Sequence, residues 1–172
     1  MAALEIGLSF FFAYFYSVDE LLKYLEAIKS KMNFRDVMFR IGNDREVLEF
    51  IIKLNTREQL YDKGIDATGT RLDDIGGEYS NYTIQFFKIP ESLPYDRVTL
   101  FQTGEFYESF VARVIGAGDI EIIADPIKDQ DNLEDRYGNQ IIGLTKESLE
   151  KLTQKLHLEL EKYLINEVFK LR

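Results

Sequence analysis

Apolar residues recur at helical spacing near both ends of this chain and at strand-like spacing through its middle. Val18, Leu21, Leu22, Leu25 and Ile28 follow Ser17-Val18-Asp19-Glu20. That quartet is a capping box, with the Ser hydroxyl available to the amide three residues on and the Glu able to reach back. The spacing predicts a helix of roughly four turns with one apolar face. Asn43 with Glu46 repeats the box less strictly, and Val47, Phe50, Ile51, Leu54 and Tyr61 carry one face to about Asp62, with Gly64 as the stop. Thr145 opens the last helix, where Glu147 in the first turn suits the helix dipole. Leu149, Leu152, Leu156, Leu160, Tyr163, Leu164 and Val168 make its apolar stripe.

Between these helices the pattern changes. Ile65 to Tyr82 is rich in Gly, Thr and Asp with no periodic face, and reads as a long loop or a weak hairpin. Thr83 to Ile89 and Val98 to Phe101 have strand-like content, and Pro90 and Pro94 mark a turn between them. The stretch from Leu100 to Pro126 then reads as a turn at Thr103-Gly104, a short segment carrying Phe106, Tyr107 and Phe110, and a β-hairpin. The hairpin strands are Phe110 to Ile115 and Ile120 to Asp125, joined by Gly116-Ala117-Gly118-Asp119 with the glycines that positive φ angles require. The pattern as a whole predicts an α+β fold: a small antiparallel sheet with a β-hairpin, packed against N-terminal helices and a long C-terminal helix. Residues 1–172 form a single domain on this reading, with 1–33 as an N-terminal extension or arm and Met32-Asn33 as an internal start.

Composition narrows the classes. At 172 residues, 45% hydrophobic and 30% charged, the chain suits one folded domain and lies away from the disordered regime. It has no cysteine, which excludes disulfides, thiolate metal sites and cysteine nucleophiles. A formal net charge of −9 with scattered basic residues argues against a surface that tracks a nucleic-acid backbone. Leu8 to Tyr16, LSFFFAYFY, has the look of a signal-peptide core, but it follows Glu5 instead of a basic region and lacks a cleavage site before Ser17. It is also shorter than the ~20 apolar residues of a membrane span. The run reads either as a core element or as an apolar arm that packs on a neighbouring subunit.

The search for chemistry yields little. His157 is the single histidine and lies beside the apolar stripe of the last helix, where a partly buried structural role is the plainer reading. Two acidic groups stand out: Asp62, Asp66, Asp73 and Asp74, then Asp125, Asp129, Asp131, Glu134 and Asp135. Neither has the EF-hand spacing, and solvated acidic loops are the plainer reading of both. The expectation is no catalytic residue, no cofactor and no metal ligand.

One motif brings a resemblance. Leu100, Thr103, Gly104, Phe106, Ser109 and Phe110 resemble the L-x-x-T-G-x-L/F-x-x-S-I/F signature of the tail-completion and head-tail joining proteins of tailed bacteriophages, the virion morphogenesis family. The order that follows is also similar: a hairpin, then Glu134-Asp135-Arg136-Tyr137-Gly138, then a closing helix from Thr145. Upstream, Gln59-Leu60 through Gly64, Asp66 and Gly69, then Tyr79-Ser80, resemble segments preceding the motif in related phage proteins. Where family members often carry Arg, this chain has Tyr107.

The resemblance implies a structural virion protein of the phage neck or tail, forming a homo-oligomeric ring that joins the portal or connector to the tail. Its partners would be its own copies and other virion proteins, with no membrane, no sequence-specific nucleic acid, and at most DNA passing through the channel. It would be made in the host cytoplasm and reside in the virion. The subunit-interface candidates are Phe10, Phe11, Phe12, Tyr14, Thr103, Gly104, Phe106, Tyr107, Phe110 and Tyr137, with ordinary core packing as the alternative for each segment. A carboxylate-based hydrolase and a small acidic protein-binding regulatory module are the rival readings.

Overall fold

The computed structural model describes residues 32–115, 119–128 and 131–168, together with Asp19, Leu22, Lys23 and Glu26. Those four isolated positions are helical and exposed, as the capping box predicts for the helix though not for Leu22 on its apolar face. The remainder of that helix and the run from Leu8 to Tyr16 lie outside the described residues.

Helix α1, Phe34–Gly42, is a further element that the sequence reading did not predict. Asn33 caps it by accepting from the Arg35 amide, and Val37 and Ile41 form its buried face. The Asn43/Glu46 box is displaced by one residue: Asp44 is the true cap of α2, Arg45–Lys53, while Asn43 closes α1. Beyond Lys53 the helix continues with a widened, π-type turn through Leu54–Lys63. This shift of phase brings Asn55, Thr56 and Gln59 to the interior alongside Leu54 and Leu60. Gly64 ends it in the left-handed region at φ 64°, and a Cβ there would lie 2.8 Å from the Val98 carbonyl oxygen, so the predicted stop is also a close approach.

The middle of the chain departs most from expectation. Ile65 to Tyr82 contains one bridge, Ile65 to Arg71, and the short helix α3, Leu72–Gly76. Thr83 to Ile89 is helical, not a strand: α4, Asn81–Thr83, runs on as a π-type turn through Ile84–Lys88. Ser80 starts it by accepting from the Thr83 amide at 3.1 Å, a local capping signal that outweighs the β-rich composition. Val98 to Phe101 has no ladder partner. Helix α5, Glu105–Glu108, then leads into the hairpin of β1, Val111–Ile115, and β2, Asp119–Ile123, paired antiparallel from Val111 with Ile123 to Ile115 with Asp119. A two-residue pair, β3 (Ile127–Lys128) with β4 (Asp131–Asn132), precedes α6, Leu133–Tyr137. After a 3-10 turn at Asn139–Ile141 comes α7, Lys146–Tyr163, extended through Leu164–Val168. Thr145 caps α7 as predicted, accepting from Ser148.

The architecture is therefore α+β, with its sheet reduced to two hairpins. Two adjoining hydrophobic clusters hold it. Val47, Ile51, Leu54, Ala112 and Leu152 join α2, β1 and α7. Leu60, Leu72, Val98, Leu100, Phe106, Phe110, Leu133, Tyr137 and Ile141 join the middle of the chain to α6. The α7 stripe is buried unevenly, since Leu152 is enclosed while Leu149 is 46% exposed. His157 is exposed on α7, not partly buried as its place beside the stripe suggested.

Side chains take over where ladders end. The Asn55 amide donates to the Ile141 carbonyl at 3.1 Å and accepts from the Gly143 amide at 2.8 Å. Gln59 does the same with the Gly143 carbonyl and the Thr145 amide, both at 2.9 Å. These two buried amides fasten the entry to α7 onto the widened turn, meeting the demand that buried backbone groups be paired.

Candidate functional site

The motif segment begins with a stretch of backbone held almost wholly by side chains. The Val98 amide donates to Asp73 Oδ1 at 2.7 Å and the Thr99 amide to the Tyr79 hydroxyl at 2.9 Å. The Tyr107 hydroxyl donates to the Thr99 carbonyl, and the Lys88 ammonium to the Phe101 carbonyl. Within this segment Leu100 is buried at φ 56°, a left-handed conformation whose cost is of the order of 1–3 kcal/mol for a residue with a Cβ. Such a conformation persists only where its surroundings over-determine it, and the four side chains do so.

Thr103-Gly104 is the turn that the motif predicts. Gly104 sits at φ 97° at the start of α5, while Thr103 stays at the surface. The turn directs Phe106 and Phe110 inward, edge to face with ring centroids 5.1 Å apart. The motif serine, Ser109, donates to the Phe106 carbonyl at 2.7 Å and accepts from the Asp125 amide at 2.9 Å. It latches the start of the hairpin to its end.

The interface candidates thus divide. Phe10, Phe11, Phe12 and Tyr14 lie outside the described residues. Thr103 is exposed; Gly104, Phe106, Phe110 and Tyr137 are buried, and Tyr107 is half-buried. The motif aromatics fill the chain's own core, because the glycine turn points them at Leu100 and Leu133 instead of outward. Burial pushes the Tyr107 phenol well above its ordinary range and raises that of Tyr137 as well. Tyr137 lies so close to Gly76 that a Cβ there would meet its ring at 2.2 Å, and Arg136 donates through Nε and Nη2 to the Gly76 carbonyl at 3.0 and 2.9 Å. The Arg136-Tyr137-Gly138 segment therefore binds α6 to α3 within the chain.

The acidic groups are also put to structural use. Asp66 is buried and accepts from the Thr68 amide, the Thr68 hydroxyl and the Thr70 amide. Asp73 holds Val98 and pairs with Arg71, and Asp125 accepts from the Ile127 amide. Among the described residues no three acids or histidines converge as a metal site.

Sequence reasoning missed the surface aromatics. Tyr82 and Phe86 are each 63% exposed, with rings 4.7 Å apart, and Phe87 approaches Tyr82 at 5.8 Å. Ile89 and Tyr95 are exposed nearby in sequence. Reading Thr83 to Ile89 as a strand hid this, since the helical spacing of Tyr82 and Phe86 is what brings their rings together. A second exposed apolar group, Val111, Ile115 and Ile123, lies on the hairpin's outer face around the Arg113 to Glu121 ion pair. No helix among the described residues is long and apolar enough to cross a membrane. No protein-family model, curated protein or solved structure matches the chain.

Proposed function

We propose that this chain is a structural, non-catalytic subunit of the neck or tail of a tailed bacteriophage, assembling with its own copies into a ring that joins the portal or connector to the tail. The observation that carries the assembly reading is the exposed group of Tyr82, Phe86 and Phe87, in which the Tyr82 ring contacts both of the others at the surface. A contiguous apolar patch of this kind marks an interaction surface. The outer face of the hairpin supplies a second, and two different faces are what a head-to-tail ring contact needs. The phage assignment rests on the motif and its order: the glycine turn at Gly104, the hairpin, the Arg136-Tyr137-Gly138 segment and the closing helix follow one another as in the family it resembles.

Light scattering on the size-fractionated chain, with electron microscopy of the product, tests the reading. The expected result is a defined ring for the unmodified chain and a shift to monomer for the Tyr82→Ser, Phe86→Ser double variant. A chain that stays monomeric at every concentration, alone and mixed with a portal protein, would overturn it.

A further inference from the structure

We infer that the cavity beside Lys88 is a binding site for a small organic monocarboxylate with an apolar or aromatic body. The cavity is about 350 Å³ and lies between α4, the Leu100 to Gln102 segment and α6, which places it at the small end of the range of about 300–1,000 Å³ typical of ligand pockets.

Its distinguishing group is a buried cation. Lys88 is 2% exposed, yet it makes no ion pair among the described residues. Its ammonium donates to the Phe101 carbonyl and stands 4.4 Å from the centre of the Tyr79 ring. Both partners line the same cavity, so the ammonium is held at the wall by a carbonyl and a π face. An ammonium has three donors, and the one hydrogen bond to protein leaves donor capacity beside the cavity. Removing a cation from water without an anionic partner is costly, and a ligand anion supplies that partner.

The lining limits which anion fits. Arg136 and Lys128 add two more cations, while Glu78 and Asp131 add two carboxylates. The Lys88 ammonium calls for one negative charge, and the carboxylates of Glu78 and Asp131 in the same wall disfavour a phosphate dianion, so a monoanion fits. Leu100, Phe101, Leu133 and Tyr137 supply the apolar remainder of the wall, which suits a hydrocarbon or aromatic body attached to the carboxylate. The site uses buried Lys88 of the helix whose Tyr82, Phe86 and Phe87 are exposed, and it does not depend on the assembly reading.

Benzoate is a suitable probe, titrated calorimetrically into the full chain and followed by thermal melting at matched ionic strength, with inorganic phosphate and benzyl alcohol in parallel. The expected result is saturable binding of benzoate and a raised Tm, with affinity reduced at least tenfold in Lys88→Met, and weaker or no response to the other two compounds. Lys88→Met keeps the stem and removes the charge. Arg136→Gln, in the same lining, gives a second reading should the first variant fold poorly, with a severalfold loss of benzoate affinity expected. Absence of saturable benzoate binding, affinity unchanged in both variants, or phosphate binding as tightly as benzoate would overturn the assignment.

Discussion

Two aromatic clusters stand close together in this chain and end up on opposite sides of its surface. Tyr82 touches Phe86 and Phe87, and all three are exposed; Phe101, Phe106 and Phe110 are linked through Tyr107 and are enclosed or half-enclosed with it. Rings meet edge to face in both, at 5.8 Å between Tyr82 and Phe87 and 5.1 Å between Phe106 and Phe110, so that contact does not decide the outcome. The difference lies in what the backbone does next. Gly104 reverses the chain and drives the second cluster onto Leu100 and Leu133, and Tyr107 then fastens itself to the Thr99 carbonyl. The first cluster rides on a short helix that ends at Lys88, just before Pro90, with nothing folded over it among the described residues. An aromatic run thus becomes core where a turn and a polar tether aim it at other apolar groups, and stays surface where they are lacking.

The sharpest way to break this comparison is to truncate one ring from each cluster. Phe106→Ala should lower unfolding free energy by about 3–5 kcal/mol, the usual cost of emptying a buried Phe site. Phe86→Ser should change it by no more than about 0.5 kcal/mol. Denaturant titration of both variants gives the contrast directly, and equal losses would refute the division into core and surface clusters. Next in size is the tether. Tyr107→Phe keeps the ring and removes the hydroxyl, which leaves the buried Thr99 carbonyl without its donor. The expected loss is about 1–3 kcal/mol, and no change would mean that packing alone positions the cluster.

The smallest effect is a pH dependence. The Tyr107 phenol is raised above its unfolded value of 10.0, so the folded chain holds that proton after the unfolded chain has released it. The contribution is complete below pH 10 and declines as pH rises beyond it. Tyr107→Phe should therefore show a shallower loss of stability with alkali than the parent, which melting curves across that interval would measure.

What could be read from the sequence was local. The Thr145 cap, the Gly64 stop, the Gly104 turn and the hairpin each depend on residues within a few positions of one another, and each was legible. Asn43 was not, because its partner Val114 is 71 residues away and no short-range signal reports it. Asn55 and Gln59 were hidden for a second reason. The widened turn after Lys53 shifts the helical phase, so residues that a regular period would place outside come to face the interior. Lys88 combines both difficulties: a charged residue in a segment with strand-like composition gives no sign of burial, and its partners Tyr79 and Phe101 come from the loops flanking its helix. The candidate motif was legible as a turn with aromatics, but their inward direction required Leu100 and Leu133 to be in place.

One of these distant pairings bears on how the hairpin edge can be extended. Asn43 donates to the Val114 carbonyl and accepts from the Val114 amide, at 3.0 and 3.1 Å. A single amide side chain thereby occupies the rim of β1 where a third strand would otherwise bind. The outer rim of β2 carries no such plug among the described residues. A hairpin closed on one rim cannot be extended from both, so hairpins could pair once through β2 but could not stack into an unending ribbon. Asn43 acts as a stopper against fibre growth, built from one residue at the end of a helix.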